Sequence, residues 1–216
     1  SDSKVRASLK RYFRVMEDDV PAKFLISRRL EAEYDEEAEL KELWDTHNKL
    51  LKKYGELEAE IDSKKVTLAE LEKPEKSFLD LKVAIANRIL QSCHLCIRRC
   101  GANRLKGGRG YCRCGDKISV STMFAHMGEE PELVPSGTIF TLGCTLKCLH
   151  CQNWSISQWY ESGEEYTPQN LAREVEGLRK RGCRNVNLVG GEPTPWLKHW
   201  LETFTHVKVN VPVVWN

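Results

Sequence analysis

Nine cysteines are spread unevenly over 216 residues, and eight of them fall into two groups. The tighter group is Cys144, Cys148 and Cys151, in the stretch GCTLKCLHC at 143–151. With three and then two residues between them, these thiols let one loop wrap a single ion or a compact inorganic cluster. Thiolates are the ordinary ligands of iron–sulfur centres. Structural zinc sites close with four protein ligands, whereas three leave a position open for a ligand from outside the protein, where chemistry takes place. The alternative is a zinc knuckle completed by His150 or by a distant thiol.

The looser group is Cys93, Cys96, Cys100, Cys112 and Cys114, in CHLCIRRCGANRLKGGRGYCRC. Its thiols lie in two halves around a Gly-rich excursion, as in a structural metal site. Four of the five suffice for tetrahedral zinc, and the same set suits a second iron–sulfur cluster. Either the fifth cysteine is spare or His94 replaces one of them. Residues 91–117 are too poor in apolar side chains to build a core unaided, so a metal is expected to organise them. Seven basic residues from Arg98 to Lys117 face one acid, Asp116, and Tyr111 is the only aromatic among them. A solvated basic surface is the plain reading, and contact with nucleic acid is not expected. Cys183, between a helix and a strand, reads as a small buried apolar residue. His126 in FAHMGEEP is within reach of either metal group, though a lone histidine is more often structural.

The elements that must position these groups alternate. GTIFTL at 137–142 reads as a strand ending at the first cysteine loop. Thr167-Pro168 opens a helix, LAREVEGLRKR, closed by Gly182. NVNLV is a second strand and ends in GGEPTP, where Gly190 and Gly191 let the backbone come close to a ligand and Glu192 presents a carboxylate. Glu192 also suits the start of the helix that Thr194-Pro195 opens. That helix, WLKHWLETF, carries Trp196, Leu197, Trp200, Leu201 and Phe204 on its apolar side. VKVNVPVVW is a third strand, weakened by Pro212. Strands alternating with helices imply an α/β fold with parallel strands and right-handed crossovers. The catalytic edge of such sheets is the C-terminal one, where both motifs fall.

Residues 1–90 are charged and helical in pattern, with few breakers and many helix formers in FLISRRLEAEYDEEAELKELWDTHNKLLKKYGELEAEI. Leu40, Leu43, Trp44, Leu50 and Leu51 form its apolar stripe, and residues 31–46 hold eight acids against one lysine. The net charge of +2 favours no class of partner. No apolar run approaches the roughly 20 residues of a membrane span. Clustered, odd-numbered cysteines without a secretory signal point to the cytoplasm and to metal sites rather than disulfides.

Taken together, Cys144-x3-Cys148-x2-Cys151 after one strand and Gly190-Gly191-Glu192-Pro193 after the next resemble the radical S-adenosylmethionine (SAM) enzymes. The resemblance implies an oxidoreductase-type radical chemistry. Cys144, Cys148 and Cys151 would ligate a 4Fe-4S cluster, with SAM on the open iron, and an electron donor such as flavodoxin or ferredoxin would reduce it. Reductive cleavage of SAM would yield a 5′-deoxyadenosyl radical that takes hydrogen from a substrate. Gly190, Gly191 and Glu192 match the motif that holds the SAM amino group, and His150 takes the place of an aromatic packing near adenine. CxLCxRRCGxNR, HxGEEP and GTIFxxGCxLxCxxCQN together are similar to a subgroup homologous to the pyruvate formate-lyase activating enzyme, over about residues 92–216. That subgroup brings in a glycyl radical enzyme as a possible protein partner. A small molecule, RNA or a protein side chain is the other substrate option. The alternative function is a non-catalytic zinc-knuckle module binding protein or RNA. The organisation expected is a helical extension at 1–90, a Cys-rich metal-binding segment at 91–135, and the truncated first half of a radical SAM barrel at 136–216.

Overall fold

The computed structural model describes residues 3–216. Its centre is a mixed sheet of β1 (Ile118–His126), β2 (Ser136–Thr141), β3 (Glu164–Tyr166), β4 (Asn185–Gly190) and β5 (Val213–Trp215). The spatial order is β3-β1-β2-β4-β5. β2, β4 and β5 run parallel, while β1 pairs antiparallel with both β2 and β3. The three parallel strands are those the α/β alternation predicts. The antiparallel pair is additional.

β2 and β4 are buried along almost their whole length, as strands covered on both faces are. Their starts carry polar side chains that satisfy one another. Ser136 Oγ donates to Asn185 Oδ1 at 2.8 Å, and Asn185 Nδ2 donates to the Leu133 carbonyl at 2.9 Å. α7 (Pro168–Lys180) and α8 (Leu197–His206) cover one face with Leu171, Val175, Leu178, Trp200 and Phe204. Thr167 caps α7, accepting the Asn170 N–H at 3.2 Å, with Pro168 in the first turn. Before α8 comes a 3-10 turn, Thr194–Trp196, which buries Trp196 completely. On the opposite face Phe124 and Phe140 stack with centroids 5.6 Å apart.

Five helices precede the sheet in the chain: α1 (Ser3–Ser8), α2 (Lys10–Met16), α3 (Lys23–Ser27), α4 (Leu40–Asp62) and α5 (Phe78–Gln91). Ser77 and Asp80 form a reciprocal capping box at the start of α5. α4 and α5 share a core of Leu43, Leu50, Tyr54, Ile61, Phe78, Leu81 and Ile85. Val15, Val20 and Phe24 instead join the core under the sheet. Asn210 ties that segment down, accepting the Ala22 N–H at 2.7 Å and donating to the Val20 carbonyl at 3.0 Å.

Three expectations need correction. The helix does not run unbroken through residues 28–39, where the chain bridges to Ser77 and exchanges backbone bonds with Lys76 and Phe78. Like charges at Glu31, Glu33, Asp35, Glu36, Glu37 and Glu39 disfavour a helix there, and Asp35 takes the Glu37 N–H at 2.9 Å in a local turn. Trp44 and Leu51 lie outside the packed stripe, 40% and 49% exposed. Of VKVNVPVVW only Val213–Trp215 is strand, since Asn210 spends its side chain on the helical segment and Pro212 has no N–H to give. No helix among the described residues is long and apolar enough to cross a membrane.

His199 on α8 is 3% exposed and bonds through Nε2 to the Asp116 carbonyl at 2.8 Å. Burial pushes its pKa from 6.5 down to about 4. The unfolded chain therefore takes up this proton near pH 6.5 and the folded chain only near pH 4. Stability is predicted to fall as pH drops through that window, by on the order of 3 kcal/mol in all. In urea titrations at pH 7 and pH 4, His199→Gln should lose that part of the pH dependence. An unchanged slope in the variant would contradict the assignment.

Candidate metal and cofactor site

The chain leaves β2 through Leu142 and turns at Gly143, whose φ of +85° favours glycine. Cys144 follows, buried, and its sulfur accepts the amide N–H groups of Leu146 at 3.3 Å and Lys147 at 3.5 Å. Cys148 is exposed and Cys151 half-buried, with Ser157 Oγ donating to Cys151 Sγ at 3.8 Å from a short helix, α6 (Trp154–Ser157). Leu146, Leu149 and Trp154 are exposed around the loop. His150 is exposed as well.

β4 ends beside that loop. The Gly191 N–H donates to the Thr141 carbonyl at 2.7 Å. A side chain on Gly190 would lie 2.6 Å from the Thr141 oxygen, and one on Gly191 would overlap the Gly143 carbonyl. The close approach these glycines permit is therefore to the chain's own backbone. It carries Glu192 to the cysteine loop, where Oε2 accepts the Thr145 hydroxyl at 3.0 Å and Oε1 accepts the Thr194 N–H at 2.7 Å. Glu192 thus serves the start of the turn before α8 and also holds the residue next to Cys144. Thr145 escapes a reading of the sequence, because nothing in its type sets it apart from the other residues between the cysteines.

The five-cysteine segment packs against the same edge. Cys93 exchanges backbone bonds with Gly101 and Ala102, each at 3.0 Å, which lays Cys100 beside it. Cys112 and Cys114 are buried, and the Trp159 indole donates to the Cys112 carbonyl at 2.8 Å. Cys114 Sγ points to the Leu142 carbonyl at 3.8 Å, directly under the first loop. A bond from the Cys114 side chain holds the Cys112 thiol down to about 6, while burial pushes Cys114 well up. Cys96 is half-buried and Cys100 exposed. Tyr111 has Arg98 over its ring at 3.8 Å and Lys147 at 4.3 Å, so cations already cover this aromatic. His126 faces Glu129 at 3.3 Å, and Cys183 is fully buried in the apolar core.

Among the described residues no three His, Cys, Asp or Glu side chains are gathered as a finished metal cage. The donor set still fits a thiolate-bound cluster. Three thiols lie on one loop, one already receives two amide hydrogens, and a carboxylate is fixed beside them.

Residues 138–215 match the family model described as the radical SAM superfamily. The chain is 44% identical over 214 residues to the uncharacterized protein MJ0674 of Methanocaldococcus jannaschii, covering 96% of this chain and 60% of that one. It is 26% identical over 134 residues to the uncharacterized protein MJ0808 of the same organism, covering 55% and 40%. The chain thus spans 60% or less of the curated relatives it matches. No solved structure matches it.

Gly191→Ala should force β4 away from the Gly143 turn and destabilise the protein by about 1–3 kcal/mol. Gly55→Ala, in the exposed middle of α4 with open space around it, should instead add about 0.5–1 kcal/mol. Denaturant unfolding of both variants checks this, and equal effects of the same sign would contradict it.

Proposed function

We propose that this chain belongs to a radical SAM enzyme. The observation that carries the reading is the bond from Thr145, inside the cysteine loop, to Glu192, at the end of the next parallel strand. It joins the two motifs at the C-terminal edge of the parallel strands, and the match at residues 138–215 agrees with it.

Cys144, Cys148 and Cys151 would hold a 4Fe-4S cluster, and Gly190, Gly191 and Glu192 would receive the amino group of SAM, with His150 near adenine. When bound, cluster and SAM supply a one-electron reductive cleavage whose 5′-deoxyadenosyl radical takes a hydrogen atom from substrate. The protein's own part is to hold these groups in place. The Leu146 and Lys147 amides fix the position of the Cys144 sulfur. The Thr145 hydroxyl and the Thr194 amide hold the Glu192 carboxylate oriented as an acceptor for an ammonium group. A flavodoxin- or ferredoxin-type donor would supply the electron. The substrate reading follows the activase-like resemblance, a glycine in a partner enzyme, and the five-cysteine segment is a second metal site of zinc or iron–sulfur type.

The test is the native full-length protein, reconstituted anaerobically with iron and sulfide and given dithionite and SAM. Mass spectrometry should detect 5′-deoxyadenosine, absent in Cys148→Ala and Cys151→Ala. Glu192→Gln should raise the SAM concentration required roughly tenfold or more, as expected for losing a charged hydrogen bond. Protein holding zinc alone and releasing no 5′-deoxyadenosine would overturn the reading.

A further inference from the structure

Arg104 is 1% exposed, and a guanidinium keeps its charge inside a protein. Nη1 donates to the Pro195 carbonyl at 2.6 Å, and Nη2 and Nε donate to the Gly115 carbonyl at 2.9 and 3.3 Å. The Trp196 ring centre is 5.5 Å away. Every one of these partners is neutral. A buried cation without an anion carries a penalty of roughly several kcal/mol. Among the ionisable groups that feel its charge are the thiols of Cys93, Cys112 and Cys114 and the buried, neutral His199.

Those thiols differ in their surroundings. Cys93 and Cys112 are buried at the edge of the segment, 5% and 8% exposed. Cys100 lies beside Cys93 through the Cys93–Gly101 pairing, and its sulfur fills the place a Gly110 side chain would take. That contact brings the turn before Cys112 to the same spot. Cys114 is different. It is 0% exposed within the apolar core, directed at the Leu142 and Cys112 carbonyls.

We propose that Cys93, Cys96, Cys100 and Cys112 hold zinc as a closed four-thiolate site, that Arg104 is its buried counter-cation, and that Cys114 is a core residue seating this site under the first cysteine loop. The proposal rests on reading the five-cysteine segment as a metal site, not on the radical chemistry. On binding, the four thiols release their protons to solvent and the zinc site becomes a net dianion. Arg104 offsets part of that charge. Through Pro195 it also fastens the site to the turn that follows Glu192. It is a positioning residue for the candidate SAM edge.

The experiment uses the full-length protein carrying Cys144→Ala, Cys148→Ala and Cys151→Ala, so that the first loop binds no metal. Zinc content is measured by elemental mass spectrometry and zinc affinity by chelator competition. The background variant should retain zinc at one ion per chain, lose it on adding Cys96→Ala or Cys112→Ala, and keep it with Cys114→Ala. Arg104→Met should weaken zinc about 10–100-fold. Arg104→Lys, which keeps the charge, should stay within tenfold of the parent and serves as the test if Arg104→Met does not fold. A background variant with no bound metal overturns the metal-site reading itself. An iron–sulfur cluster in its place overturns the zinc assignment. Zinc affinity indifferent to Arg104→Met, or lost in full with Arg104→Lys, overturns the counter-cation role alone. Loss of zinc in Cys114→Ala with retention in Cys96→Ala overturns the ligand assignment.

Discussion

The ends of β2 and β4 approach so closely that only a hydrogen fits at two successive positions, Gly190 and Gly191. Gly190 holds a φ of +113°, and the Gly191 amide reaches the Thr141 carbonyl at 2.7 Å. Parallel strands normally diverge into loops beyond their last ladder bond. Here that Gly191 bond carries the pairing to the start of the loop, and the cysteine turn is pressed against the Gly-Gly-Glu turn. The carboxylate of Glu192 therefore arrives next to Cys144 without any long loop to be ordered. Most of the entropy of positioning is removed by strand pairing, which the buried sheet enforces.

Around that contact the structure spends buried polar bonds on holding turns. The Trp196 indole donates to the Leu142 carbonyl at 2.8 Å, just before Gly143. The Trp159 indole donates to the Cys112 carbonyl, and His199 to the Asp116 carbonyl. Each donor comes from an element packed in the core or at its rim, and each acceptor belongs to a cysteine-bearing turn. Rigid aromatic bodies with one polar handle suit that task, since they bury area and still fix a single backbone carbonyl.

Much of this was legible in the residues. Thr167-Pro168 and Gly182 bracket α7 because capping chemistry is local, and the short runs of β2 and β4, apolar with Thr138 and Asn187 between, read as strands. The positions of both motifs at strand ends follow from the same runs. β1 was not read, although ISVSTMFA alternates, because its partners lie outside the α/β alternation and only tertiary pairing reveals them. The break before α4 depends on a bridge to Ser77, far along the chain. Gly190 and Gly191 announce a close approach but not its object, which proves to be Thr141 and Gly143. Arg104 reads as one base in a basic run, and only its burial distinguishes it from Arg98 or Arg109.

Electron paramagnetic resonance on the native full-length protein, purified without oxygen and reduced, tests the central claim most directly. A reduced 4Fe-4S signal that shifts on adding SAM is the predicted result, because a cluster held by Cys144, Cys148 and Cys151 beside Glu192 has a position open to SAM. A spectrum without that signal, or one that SAM leaves unmoved, would contradict the claim that the two motifs form one cofactor site.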